Sequence, residues 1–399
     1  RMEHKTRIKG NVHYVGVNDR NKHRFEGMWP LPYGVSYNSY LIDDEMVALV
    51  DTVDICYFEI YLRKIKHVIG ERPINYLIIN HMEPDHSGAI RLIKQHYPEI
   101  IIVGNKQTFG MIEGFYGVTG EQYLVKEGDF LTLGHHKLRF YMTPMVHWPE
   151  TMMTFDETDG ILFSGDGFGC FGTLDGGFLD TRMNVDKYWG EMVRYYSNIV
   201  GKYGSPVQKA LQKLGGLPIS AICSTHGPVW TENIAKVIGI YDRLSRYDAD
   251  EGVVIAYGSM YGNTEQMAET IAAELSAQGV KNIVMHNVTK SHPSYIIADI
   301  FRYKGLIIGS PTYSNQIFPE VEALLSKILL REVKGRYLGY FGSFTWAGAA
   351  VKRIAEFAEK SKFELIGDPV EMKQAMKDIT YTQCENLARA MAERLKKDR

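Results

Sequence analysis

Before residue 250, short apolar runs alternate with Gly, Pro, Asn and Asp turn signals, a pattern typical of β-strands. Apolar positions three and four residues apart predict one helix over residues 188–214. The alternating runs predict strands at residues 38–41, 47–51, 76–80, 100–103, 137–142, 152–155, 161–163 and 219–224. We therefore expect a mixed α/β domain in this part of the chain.

After residue 250 the pattern becomes a regular succession of strand, loop and helix. Such alternation is typical of a parallel sheet with helices on both faces. The predicted strands are residues 253–257, 306–309 and 337–341, and the predicted helices are residues 265–278, 319–330 and 349–360. The polar residues 241–250 lie between the two regions and predict a linker. We therefore expect two domains, residues 1–249 and 250–399.

Length and charge narrow the class of protein. A chain of 399 residues is long for one domain and comfortable for two, and its apolar fraction of 45% is ordinary for globular proteins. The net charge of −2, without a basic stripe, argues against a nucleic-acid partner. The sequence has no apolar run of membrane-spanning length and no signal-like leading segment. We therefore expect a soluble, cytoplasmic protein that does not bind membranes.

The cysteines exclude several kinds of site. Cys56, Cys170, Cys223 and Cys384 are far apart and never form a Cys-x-x-Cys pair. This spacing argues against a disulfide scaffold, a structural zinc site and a rubredoxin-type iron site. Each cysteine is interpreted as a small core or surface residue.

Residues 81–86, with the sequence HMEPDH, concentrate metal-binding side chains directly after a predicted strand. A lone His or Asp at a strand end is usually a cap or a surface residue. His81, Glu83, Asp85 and His86 together are different, because several buried carboxylates and imidazoles are costly to desolvate unless a cation offsets that cost. The cluster therefore predicts a metal site.

Three further ligand-type residues, His147, Asp166 and His226, also follow predicted strands and are flanked by Gly or Pro. Loops at strand ends can converge on one edge of a layered α/β sandwich, as binding sites often do. With the cluster at residues 81–86, these side chains are too many for one tetrahedral zinc ion. They suit two metals that share a bridging ligand.

The order of these residues resembles the metallo-β-lactamase fold as it occurs in flavodiiron proteins, also called A-type flavoproteins or rubredoxin:oxygen oxidoreductases. The resemblance implies an αββα sandwich with a non-haem di-iron centre. In the implied assignment, one iron is held by His81, Glu83 and His147, the other by Asp85, His86 and His226, and Asp166 bridges them. The alternative for His86 is an imidazole that turns away and leaves a water in its place.

Glu83 is a departure from the hydrolytic members of that fold. Those members carry His at this position and usually bind zinc. A carboxylate is harder and more anionic than an imidazole, which favours iron. Glu83 therefore predicts iron as the metal.

In the second domain, residues 259–264, with the sequence SMYGNT, follow a predicted strand and open a predicted helix. A helix amino terminus with Gly and hydroxyl residues offers backbone N–H groups and a favourable dipole to a phosphate. The segment is neither a Walker motif, since no Lys follows, nor Gly-x-Gly-x-x-Gly. Taken alone, such a turn is often only a helix cap.

Two later loops, residues 310–315 and 342–348, also follow predicted strands, where doubly wound sheets bind their ligands. The three loops resemble those of flavodoxin, the first for the FMN phosphate and the other two for the isoalloxazine. The resemblance implies these FMN-binding residues: Ser259, Met260, Tyr261, Gly262, Asn263, Thr264, Pro311, Thr312, Tyr313, Asn315, Ser343, Phe344, Trp346 and Gly348. The second domain is therefore expected to be a flavodoxin-like, doubly wound parallel sheet.

Together the two resemblances cover essentially the whole chain and imply a flavodiiron reductase. Electrons would pass through FMN to the di-iron centre, which would reduce dioxygen to water, nitric oxide to nitrous oxide, or both, as a protection against oxidative or nitrosative stress. The expected donor is separate: rubredoxin, a reductase or a reduced deazaflavin. Related proteins form head-to-tail dimers, which implies a homodimer or a dimer of dimers.

Three other residues are candidates for the surroundings of the metals. Tyr195 and His23 are interpreted as proton donors that line the substrate pocket. The competing interpretations are helix packing for Tyr195 and a surface loop for His23. Trp148, next to His147, is interpreted as a residue that shields the metals or packs near the flavin, and the competing interpretation is core packing.

Two other classes of function remain open at this stage. In a binuclear zinc hydrolase joined to a flavodoxin-like module, zinc would exceed iron, and Glu83 counts against this. In an electron carrier with a structural metal region, neither dioxygen nor nitric oxide would quickly reoxidise the reduced protein. The sequence also leaves open the choice between dioxygen and nitric oxide, and between a dimer and a tetramer.

Overall fold

The structure, a computed structural model, describes residues 3–399. The chain divides into two compact units, of which the first ends at Asp242 and the second begins at Arg243. The predicted linker at residues 241–250 is wrong at both ends, because residues 241–245 complete a helix and residue 250 begins a strand. The helix continues because buried Val237, Tyr241 and Leu244 extend one apolar face.

The first unit combines many short strands with helices. Its strands are β1 (Arg7–Lys9), β2 (Val12–Tyr14), β3 (Val17–Asp19), β4 (Arg24–Phe25), β5 (Trp29–Pro30), β6 (Val35–Tyr37), β7 (Tyr40–Ile42), β8 (Ala48–Val50), β9 (Tyr76–Ile78), β10 (Ile101–Gly104), β11 (Gln122–Leu124), β12 (Phe130–Thr132), β13 (Lys137–Met142), β14 (Met152–Asp156), β15 (Ile161–Gly165) and β16 (Ala221–Ser224). Its helices are α1 (Glu3–Thr6), α2 (Phe58–Ile69), α3 (Pro84–Ser87), α4 (Ile90–His96), α5 (Lys106–Tyr116), α6 (Asp186–Tyr195), α7 (Gly204–Leu214) and α8 (Ile234–Ser245), the last of which spans the division.

Two sheets form the centre of the first unit. The larger has the order β1-β2-β7-β8-β9-β10-β11, and the smaller has the order β12-β13-β14-β15-β16. The inner faces of the sheets meet where the Tyr40 ring lies 5.6 Å from the Phe163 ring and where the Thr154 hydroxyl donates to Asn80. Loops that follow strands of both sheets can therefore reach one common edge.

The predicted helix at residues 188–214 is interrupted in the structure. Helix α6 ends at Tyr195, a π-helical turn covers Tyr196–Val200, a 3₁₀ turn covers Gly201–Tyr203, and α7 follows. Inside the π-helical turn, the Ser197 hydroxyl donates to the carbonyl of Val193. Side chains that bond to the preceding turn compete with regular helix hydrogen bonds, and π-helical turns are frequent at functional sites.

The second unit contains a parallel sheet flanked by helices. Its strands are β17 (Asp250–Tyr257), β18 (Ile283–Asn287), β19 (Tyr303–Tyr313), β20 (Gln316–Ile317), β21 (Tyr337–Phe344), β22 (Glu364–Leu365) and β23 (Val370–Lys373). Its helices are α9 (Asn263–Ala277), α10 (Pro293–Arg302), α11 (Pro319–Leu330), α12 (Ala350–Ser361) and α13 (Asp378–Lys396).

The strand order confirms the doubly wound sheet that the sequence predicts. The order is β18-β17-β19-β21-β22, with parallel pairing throughout, while β20 pairs antiparallel with β19, and β23 pairs parallel with β21. Helix α9 packs against α13, whereas α11 packs against both α10 and α12. The strand order reverses direction beside β17, which is the place where doubly wound sheets bind their ligands.

Two of the predicted loops in this unit are shorter than expected. Strand β19 continues through Tyr313 and turns at Ser314 and Asn315, which both have left-handed backbone torsions, to pair with β20. Strand β21 likewise continues through Phe344 because β23 pairs with its last residues. No helix in residues 3–399 is both long and apolar enough to cross a lipid bilayer.

Candidate functional site

The structure brings all of the predicted metal-binding side chains of the first unit together at one buried edge. His81, Glu83, Asp85 and His86 follow β9 in the larger sheet. His147, Asp166 and His226 follow β13, β15 and β16 in the smaller sheet. All of these side chains are buried, and they form two adjacent groups of potential ligands.

The first group contains His81, Glu83 and His147. The Nε2 atoms of the two imidazoles lie 3.3 Å apart, and Oε2 of Glu83 lies 2.8 Å from Nε2 of His147 and 3.4 Å from Nε2 of His81. Imidazole nitrogens and a carboxylate oxygen that converge on one point are typical ligands of a divalent cation.

The second group contains Asp85, His86 and His226. Oδ2 of Asp85 lies 3.0 Å from Nε2 of His226, and Oδ1 lies 3.6 Å from Nε2 of His86. The imidazole of His86 is fully buried and faces this group. The geometry therefore favours the His86 imidazole over the alternative in which it turns away, although coordination by His86 stays a prediction.

Asp166 stands between the two groups. Its Oδ2 atom lies 3.2 Å from Nε2 of His81 and 3.1 Å from Nε2 of His147. Its Oδ1 atom lies 3.2 Å from Nε2 of His86 and 3.4 Å from Nε2 of His226. One carboxylate thus presents a separate oxygen to each group, as a ligand that bridges two metals must.

Several buried polar atoms of this edge have close polar neighbours but no hydrogen bond of good geometry within residues 3–399. They include both carboxylate oxygens of Asp85 and the Nε2 atoms of His86 and His226. Buried polar atoms are almost always satisfied in folded proteins, because leaving them unpaired costs a large desolvation energy. A pair of divalent cations would satisfy these atoms, so the donor set fits a binuclear metal centre.

The electrostatics of the edge also favour positive charge. Burial works to lower the pKa of His147, but its contacts with Asp166 and Glu83 outweigh burial and raise that pKa to about 9. Burial is likewise outweighed at His226, where Asp166 and Asp85 raise the pKa to about 10. The imidazoles therefore bind protons strongly when no other cation is near, and a metal ion must displace these protons to bind.

Contacts outside the two groups orient the imidazoles, and the sequence interpretation did not find them. Nδ1 of His81 lies 3.1 Å from Oε2 of the fully buried Glu150, which also accepts the backbone N–H of Met82. Nδ1 of His226 donates to the backbone carbonyl of Ser36 at 2.7 Å. In both imidazoles the hydrogen bond is made by Nδ1, so the Nε2 atom can face a metal. No pattern along the sequence marks Glu150, which lies in the loop between β13 and β14.

Aromatic side chains surround His226. The Phe25 ring lies 5.4 Å and the Tyr195 ring 5.8 Å from the His226 ring, and Phe171 packs 5.0 Å from Tyr195. The Tyr195 hydroxyl is buried without a hydrogen-bond partner among residues 3–399. Its pKa lies well above the usual range because of burial and the charge of Asp166. Tyr195 therefore packs in aromatic surroundings beside His226, and its role in a substrate pocket stays a prediction.

His23 is placed differently from Tyr195. Its side chain is exposed, and Phe25 rather than His23 packs against His226. The structure thus does not bring His23 to the metal-binding edge, and its role in the pocket stays a prediction. Trp148 packs edge-on against His81, with ring centres 5.0 Å apart, and stacks on Phe115.

Glu26, on the hairpin between β4 and β5, reaches the edge of the centre. Burial of its carboxyl and the charge of Glu83 raise the pKa of Glu26 to about 8. Trp29 Nε1 donates to Oε1 of Glu26 at 3.1 Å. Because the residue as a whole is exposed, this carboxyl reaches from solvent towards Glu83. The sequence interpretation did not identify it.

In the second unit, the loop after β17 is shaped to receive a phosphate. The Ser259 hydroxyl accepts the backbone N–H groups of Gly262 and Glu265, and Gly262 has a left-handed φ of 98°. Helix α9 begins at Asn263, so its first N–H groups point out of this loop. The Thr264 hydroxyl lies 2.7 Å from that of Ser343, which joins this loop to the end of β21.

Unusually exposed large side chains stand on the same loops of the second unit. Tyr261 is 93% exposed, Trp346 75%, Tyr313 51% and Met260 42%. Large apolar side chains at the carboxyl edge of a doubly wound sheet are the surfaces against which a flat ring can lie. The remaining predicted FMN-binding residues lie on the same three segments: Asn263, Pro311, Thr312, Asn315, Phe344 and Gly348.

The backbone of the third segment is held close to the second. The Thr312 hydroxyl accepts the backbone N–H groups of Ala349 and Ala350. Gly348 lies against Glu371, whose carboxylate oxygen would stand 2.8 Å from an added Cβ. The three segments therefore form one connected rim that fits a flavin nucleotide.

Comparison with known proteins matches each of the two units to a protein family. Residues 35–227 match the ODP family beta lactamase model, and residues 255–387 match the flavodoxin model. The anaerobic nitric oxide reductase flavorubredoxin of Vibrio vulnificus is 33% identical over 368 residues, which are 90% of this chain and 73% of that protein.

Solved structures of other proteins superpose on this chain over almost its whole length. The rubredoxin oxygen:oxidoreductase from Desulfovibrio gigas superposes with a TM-score of 0.94 at 30% identity and covers 98% of both chains. The flavodiiron protein from Giardia intestinalis superposes with a TM-score of 0.93 at 27% identity and covers 97% of this chain and 95% of that one. These matches confirm the predicted order of a β-lactamase-like unit followed by a flavodoxin-like unit.

Proposed function

This chain belongs to the flavodiiron protein family, and we propose on that basis that it is a reductase that delivers electrons from FMN to a buried di-iron centre. Its substrate is dioxygen, reduced to water, or nitric oxide, reduced to nitrous oxide, or both. Its physiological role is protection against oxidative or nitrosative stress.

The observation that carries this proposal is the position of Asp166. One buried carboxylate presents Oδ2 to the group of His81 and His147, and Oδ1 to the group of His86 and His226. A site for a single metal does not require the two oxygens of one carboxylate to face two separate groups of ligands. We assign His81, Glu83 and His147 to one iron, Asp85, His86 and His226 to the other, and Asp166 to both.

When bound at these residues, the two irons would supply a binding place and electrons for a diatomic substrate, and FMN would supply electrons one at a time. Phe25, Phe171 and Tyr195 exclude bulk water from the side of the centre next to His226. The Tyr195 hydroxyl, which has no hydrogen-bond partner in the described part of the chain, is positioned to donate a proton in that enclosure. This arrangement suits a small apolar substrate that takes up protons as it is reduced.

FMN is proposed to bind at the carboxyl edge of the second sheet. Its phosphate would lie at residues 259–264, at the amino terminus of α9, and its ring would lie between Tyr313 and Trp346. Electrons reach FMN from a separate donor, and the active form is a head-to-tail homodimer or a dimer of dimers. The domain that holds the metals is assigned to residues 1–249 and the FMN domain to residues 250–399.

The test is anaerobic stopped-flow mixing of the fully reduced, FMN- and iron-loaded protein with dioxygen and, separately, with nitric oxide. Rapid reoxidation of flavin and iron by at least one gas, with release of water or nitrous oxide, is the expected result. The relative rates identify the preferred substrate. If neither gas reoxidises the protein, or if zinc replaces iron in protein grown with both metals, the proposed function is wrong.

A further inference from the structure

We propose that the two halves of the metal centre hold their ions unequally, and that a hydrogen bond from His81 to Glu150 makes the difference. The tight half contains His81, Glu83 and His147, and the labile half contains Asp85, His86 and His226. This inference rests on the proposed function, because it requires that both halves bind a metal.

The two halves are matched in the ligands themselves. Each contains two imidazoles and one terminal carboxylate, and each faces one oxygen of Asp166. The number and type of ligands therefore give neither half an advantage. Any difference in affinity must come from the groups that orient and polarise these ligands.

In the tight half, a buried carboxylate supports an imidazole. Oε2 and Oε1 of Glu150 lie 3.1 Å and 3.3 Å from Nδ1 of His81, and the Glu150 side chain is fully buried. Met82 donates its backbone N–H to the same carboxylate, and Asn105 donates to the Glu150 backbone carbonyl. A carboxylate that accepts the Nδ1 proton fixes the ring and makes Nε2 a stronger metal ligand.

In the labile half, the imidazoles have weaker support. Nδ1 of His226 donates to a neutral acceptor, the Ser36 carbonyl. Nδ1 of His86 is buried and has no hydrogen-bond partner among the residues that the structure describes. The His86 backbone also departs from helical torsions inside α3, with φ −138°. One imidazole of this half is therefore oriented by a neutral group and the other by packing alone.

The hydrogen bonding of Asp166, the carboxylate shared by both halves, also differs between its two oxygens and favours the tight half. The Thr225 hydroxyl donates to Oδ1 of Asp166 at 2.5 Å, and Oδ1 is the oxygen that faces His86 and His226. A hydrogen bond to a ligating oxygen draws electron density away from the metal. Among residues 3–399 no hydroxyl is bonded to Oδ2, which faces His81 and His147. Asp166 is therefore expected to bind the metal of the tight half more strongly than the metal of the labile half.

The test measures metal release rather than turnover. The full chain is loaded anaerobically with ferrous ion, the iron content per chain is determined, and release to an excess of a coloured ferrous chelator is followed. We expect two phases of about one iron per chain each, separated at least ~10-fold in rate. Asp85→Asn should abolish the fast phase, and His147→Ala should abolish the slow one.

Glu150→Gln tests the cause of the difference. It should accelerate the slow phase by ~10–100-fold and leave the fast phase unchanged, because the amide supports His81 less well than a carboxylate does. The matched control is Glu157→Gln on the surface, where Glu157 pairs with Arg139, and it should change neither phase. A merely structural role for Glu150 would accelerate both phases together, which would refute the proposal.

The remaining outcomes separate this inference from the proposed function. Two irons released in one phase by the unsubstituted protein would overturn the inference and leave the di-iron reductase standing. Iron content well below two per chain would overturn both. If Glu150→Gln does not fold, the unsubstituted protein and Asp85→Asn still decide whether the halves differ and which one releases first.

Discussion

Oε2 of Glu83 lies 2.8 Å from Nε2 of His147, and both atoms face the same group of buried ligands. The two residues follow β9 and β13, which belong to different sheets, so the contact depends on how the sheets pack. A carboxylate at this corner makes the centre harder and more anionic than a third imidazole would. We therefore expect this pair of residues to set the metal preference of the site.

Glu83→His is expected to shift that preference from iron towards zinc. An imidazole in place of the carboxylate removes a negative charge and offers a softer ligand to the ion next to His147. Protein from cells grown with both metals should show an iron-to-zinc ratio several-fold lower by elemental analysis. Glu59→His, on the exposed face of α2, is the control and should leave the ratio unchanged. An unchanged ratio in Glu83→His would contradict the assignment.

Thr264→Val is expected to weaken FMN binding by ~10-fold, or about 1.4 kcal/mol. The substitution removes a buried hydroxyl at the first turn of α9 and its contact with Ser343 at 2.7 Å. The measurement is titration of FMN-free protein by quenching of flavin fluorescence. The control is Thr270→Val on the same helix, because the exposed Thr270 hydroxyl donates to the Gln266 carbonyl within that helix, and this variant should bind FMN normally. Equal affinities in the two variants would place the phosphate elsewhere.

Tyr195→Phe is expected to slow reoxidation by the preferred gas by ~10²-fold, which is the usual contribution of a positioned proton donor. The free energy of unfolding should stay within ~0.5 kcal/mol, since the lost hydroxyl has no hydrogen-bond partner in residues 3–399. Tyr188→Phe should behave in the opposite way. It loses a 2.5 Å bond to the Thr173 carbonyl, so it should lose ~1–2 kcal/mol of stability and keep its rate. Stopped-flow and urea unfolding measure both quantities.

Asp180→Asn is expected to destabilise the first unit by ~2–3 kcal/mol at neutral pH. The buried Asp180 carboxylate accepts backbone N–H groups of residues 231–233, among them those of Thr231 and Asn233 at 3.0 Å each. Burial works to raise the pKa of Asp180, but the hydroxyl of Thr231 and the other donors outweigh it, so the pKa lies below its usual range.

The sign of the pH dependence follows from that lowered pKa. The stability from ionised Asp180 is present above the unfolded-state pKa of about 4 and is lost as pH falls through the lower folded-state pKa. The difference in the free energy of unfolding between Asp180→Asn and the unsubstituted protein should therefore be largest near pH 7 and should decrease below about pH 4. Urea unfolding followed by tryptophan fluorescence measures it. Glu121→Gln, at an exposed position, should show no such difference.

Where the pattern of apolar and polar residues is long and regular, it predicted the bounds of strands and helices correctly. The predictions at residues 137–142 and 319–330 are confirmed at both ends as β13 and α11. In β13 the alternation of apolar and polar residues is continuous, and α11 starts at a proline that favours the first helical turn. Most of the strands β1 to β6 contain polar residues and were not predicted, whereas the equally short β7, β8 and β9 are unbroken apolar runs and were.

That the candidate metal ligands would meet at one edge was predictable from their residue types and from their positions after strands. The supporting residues were not, since Glu150, Phe25 and Thr225 carry no pattern of their own along the chain. Their roles arise from contacts such as the one between Glu150 and His81, which join distant segments. Such contacts leave no periodic pattern along the chain, because periodicity reflects only neighbours in sequence.

By itself, the sequence determined which candidate ligands were available, that a carboxylate rather than an imidazole stands at residue 83, and that a turn with Gly and hydroxyl residues opens α9. Only the tertiary structure decided that Asp166 offers a separate oxygen to each group of ligands and that Glu150 supports just one of them. The physical reason is that residue type is a local property. The direction of a side chain at a strand end depends on how two whole sheets pair and pack, and no short segment encodes that.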